Sequence, residues 1–542
     1  MLNGLMMNRP LLISSIIDYA AEVHGTAEIV SADAQGGILR TTFSETLPRI
    51  ARLAHALRAL GIRSGDRVAT LAFNSHRHFE LYYAISGIGA VCHTINPRLF
   101  PDQLAYIVRH AGDRVLFFEG VTAPIVKQMR PQWPAELKYV AMENTAGTAA
   151  IDGIPGLLSY EELLAGHSSA IEWPELDENS AAGLCYTSGT TGEPKGVLYS
   201  HRSSLLHAFG VALAASKLHG QDKRLLPIVP LFHVNAWGTP YSAPLTGTSI
   251  IMPGPRLDGA SLFDLMDSEG VTGSLGVPTV WRGLLNEIEK RGRKPKALSL
   301  AIIGGSACPR SMIEALEKVG VEVNHAWGMT EMSPVGTCGQ LSPREAALPE
   351  GERLTLQETQ GRRMYGVDLK IVDAGGTRLP HDGKAVGELL VRGSAVASAY
   401  FENAAASAKL IDSEGWMRTG DMARILPNGF MQIVDRTKDL IKSGGEWISS
   451  VDLENIATAY PGVAIAAVIG VPDPKWDERP LLIVQPAQGA KPAKEELLAF
   501  MATKVAKWQV PDDVVFMDSV PLTATGKISK LQLRETIAKS RG

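Results

Sequence analysis

Between residues 42 and 118 helix signals alternate with short apolar runs, and that alternation restricts the possible folds more than any other feature. Thr42-Phe43-Ser44-Glu45 has the form of a capping box. Leu47, Ile50, Leu53, Leu57 and Leu60 follow at helical spacing, with Gly61 as a stop. Residues 67–73 read as a strand, 79–88 as a buried helix, 90–94 as a strand and 104–110 as a helix. Val115-Leu116-Phe117-Phe118 closes the series as another strand. Strands alternating with helices predict an α/β architecture with largely parallel sheets. At 542 residues the chain is too long for one core, so a large domain plus at least one more is expected. Residues 131–179 are rich in Pro, Gly and Ser and read as peripheral connections.

These connections lead to a polar, glycine-rich stretch, Tyr186-Thr187-Ser188-Gly189-Thr190-Thr191-Gly192-Glu193-Pro194-Lys195-Gly196. An apolar run, residues 181–185, precedes it as a buried strand. Residues 197–199 follow as a second strand, and Ser200-His201 begins a helical pattern. Glycine lets backbone N–H groups close on a phosphate, hydroxyls add donors, and Lys195 adds a point charge. A flexible surface hairpin is the bland reading of such a composition. The stretch is not a Walker A motif, since Gly196 follows Lys195. Its residue order resembles the phosphate-binding loop of the adenylate-forming enzymes, the superfamily of acyl-CoA synthetases, peptide-synthetase adenylation domains and firefly luciferase.

Further segments resemble the same family in the same order. Pro230-Leu231-Phe232-His233, with Gly238 five residues on, resembles the segment that lines the acyl pocket and carries an aromatic-gating histidine. The resemblance makes His233, Val234 and Trp237 part of that pocket; a bulky indole there limits the chain that fits. Ala301-Ile302-Ile303-Gly304-Gly305-Ser306-Ala307 reads as a strand ending in two glycines, and in the family it packs against adenine and the acyl group. His325-Ala326-Trp327-Gly328-Met329-Thr330-Glu331 matches the pattern aromatic-Gly-x-Thr-Glu. Trp327 stands where tyrosine is common, which keeps adenine stacking and loses any role for a hydroxyl. The resemblance gives Thr330 an α-phosphate oxygen and Glu331, with Thr187, the Mg²⁺ ion. Magnesium usually takes one or two carboxylates plus phosphate oxygens. Pro334 and Tyr400 are placed beside the acid pocket.

Residues 361–372 and 387–393 read as strands of a smaller β-rich subdomain. Trp416-Met417-Arg418-Thr419-Gly420-Asp421 matches a Thr-Gly-Asp motif that assigns Asp421 to the ATP ribose. An alternating strand then runs into Asp435-Arg436-Thr437-Lys438-Asp439, a plausible boundary. The resemblance gives Arg436 to ribose or phosphates and makes Lys438 the hinge. It gives Lys442, Ser443, Gly444, Gly445, Glu446 and Trp447 to CoA, with the two glycines letting pantetheine pass. Pro521-Leu522-Thr523-Ala524-Thr525-Gly526-Lys527 has the setting of the family's catalytic lysine, Lys527. The expected organisation is an adenylation core over residues 1–435 and a small mobile α/β domain over residues 436–542.

The implied reaction has two steps. A carboxylate attacks the α-phosphorus of ATP to give acyl-adenylate and pyrophosphate; a thiol then expels AMP. No acid lies near residues 232–237, where amino-acid-activating relatives carry an aspartate. An apolar acid is therefore expected, and CoA as the thiol. The sequence looks most like medium-chain fatty-acid and methylthio-propionate CoA ligases, with aryl-acid ligases as the alternative. A catalytically silent acyl- or nucleotide-binding sensor is the reading from another class; retention of Lys527, Glu331 and the Thr-rich loop counts against it. A P-loop kinase lacks its motif here. Net charge of -4 gives no support for nucleic-acid binding, and no apolar run is long enough to span a bilayer. Four scattered cysteines form no Cys-x-x-Cys pair, so a reduced, cytoplasmic compartment is the default. Many relatives are homodimers, and that expectation carries over.

Overall fold

The computed structural model describes residues 2–187, 193–444, 446–523 and 527–541. Among them, two large sheets are mostly parallel. The seven-stranded sheet runs in the order Leu158–Ser159, Lys138–Ala141, Asp113–Phe118, Arg67–Leu71, Val91–Thr94, Ala181–Tyr186 and Gly196–Ser200. Only its last pair is antiparallel. The nine-stranded sheet places Leu300–Ile303 between Gly273–Gly276 and Glu322–Gly328, all parallel, with antiparallel strands at both edges. Helices cover both, as parallel sheets require. The capping box forms as expected. Thr42 and Glu45 cap the helix Phe43–Ala59, which buries Ile50, Leu53 and Leu57.

A four-stranded antiparallel meander follows, Val367–Val372, Gly387–Gly393, Met417–Ile425 and Met431–Arg436. A five-stranded sheet closes the chain, with the long hairpin Val463–Asp473 and Asp477–Pro486 at its centre. It has its own apolar core around Ile441, Leu453, Val468, Leu482 and Leu497.

Three expectations need correction. Residues 131–179 are more than peripheral connections. Lys138–Ala141 and Leu158–Ser159 extend the seven-stranded sheet, and buried Tyr160 donates to Glu80 at 2.6 Å. Strands this short are hard to detect by periodicity. Residues 361–372 are two strands in two different sheets. Arg362–Arg363 pairs with Val335–Cys338 at the edge of the nine-stranded sheet, and Val367–Val372 opens the meander after a turn at Gly366, φ 86°. The strand expected over 67–73 stops at Leu71, because the N–H of Phe73 turns to the Glu119 carboxylate, 3.1 Å.

Candidate active site

In open α/β sheets, ligands gather beyond the carboxyl ends of the strands. Val91–Thr94 and Ala181–Tyr186 run parallel, with Thr94 opposite Cys185, so their carboxyl ends emerge together. The hairpin from Ala181–Tyr186 to Gly196–Ser200 is pinned at its mouth. Thr187 N–H donates to Lys195 O at 2.9 Å, and Lys195 N–H to Thr187 Oγ1 at 3.2 Å. Ser188, Gly189, Thr190, Thr191 and Gly192 lie outside the described residues.

A cleft of about 780 Å³ opens here. It brings together Thr187, Lys195, His233, Val234, Trp237, Gly305, Ser306, Ala307, Tyr400, Asp421, Arg436, Lys438 and Lys527. Every residue from His325 to Glu331 lines it as well, with Pro334. Gly304 sits just behind the wall. A Cβ there would lie 2.7 Å from Ala326 O and 3.0 Å from the Trp237 indole, which only glycine avoids.

The wall carrying His233 has an unusual backbone. Val234, Asn235, Ala236 and Trp237 all have positive φ, 43–58°. Left-handed conformation costs L-residues about 1–2 kcal/mol each, so the surroundings must hold this turn. Asn74 supplies much of the hold. Its amide donates to Pro227 O (2.8 Å) and Val229 O (3.0 Å) and accepts from Leu231 N–H (2.6 Å). Tyr82 donates to Leu231 O and to Asn235 Oδ1. Asn235 thus faces the core, beside Tyr82 and Cys185, rather than the cleft; the acid-free wall is made by its neighbours. Neither Asn74 nor Tyr82 was singled out in the sequence. A polar residue immediately ahead of the Ser75 helix cap was the available signal for Asn74.

Burial, helped by the Lys527 ammonium, pushes His233 down to about 3, so its ring is neutral. Burial likewise takes His325 down to about 4; its Nδ1 faces Glu358 O at 3.0 Å. Lys527 is lowered to about 8, mostly by burial and then by Arg436, with Asp421 and Glu331 opposing. Its segment is held by Thr523 N–H donating to Lys527 O at 2.6 Å and by a bridge between Leu522 and Ile528.

Asp421, which lines the same cleft, is buried and doubly held. Trp327 Nε1 donates to Oδ2 at 2.9 Å, and Arg436 Nε pairs with Oδ1 at 2.9 Å. Trp327 therefore offers an N–H to this carboxylate as well as a ring. Glu331, 6% exposed, accepts the Tyr400 hydroxyl on Oε1 at 2.7 Å. Arg98 and Arg282 also line the cleft without an ion-pair partner among the described residues, and the sequence reading passed over both.

The described residues expected at CoA do not line this cleft. Lys442, Ser443 and Gly444 precede the turn to Glu446 and Trp447 on a separate hairpin of the last sheet. Gly444 has φ +62°, and a Cβ there would lie 2.8 Å from the Trp476 ring. Trp447 is 56% exposed. Gly445 lies outside the described residues. Among the described residues there is no group of three His, Cys, Asp or Glu able to hold a metal ion, and no helix is long and apolar enough to cross a membrane.

Residues 17–401 match the family model for AMP-binding enzymes, and residues 452–527 match that for the AMP-binding enzyme C-terminal domain. A 3-methylmercaptopropionyl-CoA ligase of Ruegeria lacuscaerulensis is 52% identical over 537 residues, 98% of each chain. A medium-chain-fatty-acid–CoA ligase of Ectopseudomonas oleovorans is 47% identical, covering 98% of this chain and 97% of its own. An ATP-bound structure of MatB from Rhodopseudomonas palustris superposes with a TM-score of 0.80 at 25% identity, over 96% of this chain and 98% of that one. An anthranilate CoA ligase structure reaches 0.85 at 23% identity, over 98% and 99%, which bears on the fold alone. The cleft, both family models and near-full-length relatives agree: this chain belongs to the AMP-binding enzymes.

Proposed function

We infer that the chain is an ATP-dependent acid–CoA ligase, forming acyl-AMP and pyrophosphate and then acyl-CoA and AMP. The observation that carries this reading is one cleft holding Thr187, Lys195, Glu331, Asp421 and Lys527 against an acid-free wall. The first step must bring one anion to a polyanion, so positioning and charge neutralisation dominate it. Lys527, charged below about 8, bridges the acid's carboxylate and the α-phosphate. Lys195 and the loop mouth hold the outer phosphates. Trp327 stacks on adenine, and the lone pairs left on Asp421 accept the ribose hydroxyls. His233, neutral, closes the acyl side without adding charge.

Glu331 fits a Mg²⁺ ion. It is a lone carboxylate whose Oε2 has no hydrogen-bond partner among the described residues, and it stands in a cleft without a cage of protein ligands. Mg²⁺ prefers such sites, completing its shell with phosphate oxygens and water. Bound there with Thr187, it supplies charge neutralisation on the phosphates.

The second step belongs to a rotated arrangement. The proposed division is residues 1–435 and 436–542 with Lys438 as hinge, which withdraws Lys527 and brings the Gly444 hairpin to the acyl carbon. The acid is a short- to medium-chain fatty or methylthio-substituted acid, with Trp237 bounding its length. The relatives' printed activities support that class. The four cysteines are free and buried, in keeping with a reducing cytoplasmic setting. A homodimer completes the proposal and is read by light scattering. The direct test is acyl-CoA formation across propionate, methylthio-propionate, octanoate, palmitate, benzoate and cinnamate. Preference for an acid of three to eight carbons is expected; preference for benzoate or cinnamate overturns the assigned acid class.

A further inference from the structure

Tyr400 lies where three parts of the cleft meet. Its hydroxyl donates to Glu331 Oε1 at 2.7 Å. Its ring lies under the Lys195 ammonium, 4.9 Å from the ring centroid to Nζ. The backbone on either side is tied to the same two elements. Ala397 N–H donates to Glu331 O at 2.7 Å, and Phe401 N–H donates to Gly196 O at 2.8 Å, directly after Lys195. The segment 397–401 is thus stitched to the Glu331 turn at one end and to the phosphate-loop hairpin at the other. Tyr199 OH, from that hairpin, also donates to Thr330 O at 2.7 Å. A phenol is suited to both contacts at once, because its edge donates a hydrogen bond while its face attracts a cation.

We propose that Tyr400 is a positioning residue for the metal–triphosphate end of the site, setting the Glu331 carboxylate and Lys195 relative to one another. This rests on reading Glu331 as the Mg²⁺ ligand. With Oε1 occupied by the phenol, rotation of the carboxylate is restricted and Oε2 is left for the ion. Partners that orient a metal ligand typically matter by about 10–100-fold in metal affinity or activity. The role differs from a wall of the acid pocket, where Tyr400 would govern acid preference and leave metal dependence alone.

The test separates the two contacts. Tyr400→Phe keeps the ring under Lys195 and removes the hydroxyl; Tyr400→Leu removes both. ATP binding is measured by calorimetry with and without Mg²⁺, which needs no turnover. Tyr400→Phe is expected to weaken ATP binding about tenfold in the presence of Mg²⁺ and to leave metal-free ATP binding unchanged. Tyr400→Leu is expected to weaken both. In a Glu331→Gln background, Tyr400→Phe should have no further effect on the Mg²⁺-dependent gain. Equal Mg²⁺ gain in Tyr400→Phe and the parent protein overturns the proposal, as does a change confined to acid preference. If no acid supports turnover in the parent, the functional reading fails, while the binding comparison still decides the role of Tyr400.

Discussion

The two faces of the cleft are held by different physics. The wall carrying His233 is held by buried hydrogen bonds and by close backbone approach. Asn74 clamps the turn before His233, the left-handed run continues through Trp237, and Gly304 leaves no room for a Cβ. The lining around Asp421 is held by charge. Arg436 pairs with Asp421, and Lys530 with Glu454. Asp435 Oδ2 accepts both the N–H and the Oγ–H of Ser450, each at 2.6 Å, across the proposed hinge. Ser449 Oγ donates to Val434 O at 2.6 Å beside it. A wall built of core packing suits a pocket that must keep its shape. Polar contacts that water can replace suit a face that, on the proposed reading, separates between half-reactions.

The contrast can be broken in order of expected effect. Lys527→Ala should lose about 10²–10³ in acyl-adenylate formation, as expected for removing a charge aimed at the reacting centre. It should still convert supplied acyl-adenylate and CoA to acyl-CoA. Equal loss in both half-reactions, with folding intact, contradicts the assignment. Gly304→Ala tests the rigid wall. Its methyl meets Ala326 O and the Trp237 indole, so acid kcat/KM should fall by more than about tenfold, near 1.4 kcal/mol, with ATP binding preserved. An unchanged acid kcat/KM would show that the wall yields.

Asp435→Ala tests the charged face. Hydrogen bonds to charged groups contribute about 1.5–3 kcal/mol, so adenylation should slow by about tenfold. The proposed rotation would break this contact, so the thioester step should hold or rise. Parallel loss of both steps would make Asp435 merely structural. A pH profile sharpens the same face. In the proposed role Lys527 acts protonated, and burial holds it at about 8. Adenylation kcat/KM should therefore fall as pH rises, by about fourfold between pH 7 and 8.5. His233 at about 3 and His325 at about 4 add no inflection near neutrality.

How much of this was legible in the sequence follows the same division. Motifs that act through one short segment were readable. The loop mouth at Thr187 and Lys195, the turn at Thr330-Glu331, Asp421 and Lys527 all reach the cleft, and each sits in a short segment whose residue order resembles the family's. Contacts joining distant segments were not readable. Nothing local announces that Asn74 holds residues 227–231, that the Trp327 indole meets Asp421, or that Tyr400 turns its hydroxyl to Glu331. The parallel architecture was legible from long alternating elements. The short strands Lys138–Ala141 and Leu158–Ser159 were not, since so few residues carry no period, and the split of 361–372 between two sheets depends on a turn at Gly366.

The measurement that tests the central claim most directly is the nucleotide product formed from ATP and Mg²⁺ with octanoate or methylthio-propionate, with and without CoA. The account predicts AMP and pyrophosphate, with sustained turnover only when both acid and CoA are present. ADP and phosphate, or no acid-dependent product from folded protein that binds ATP, would contradict it.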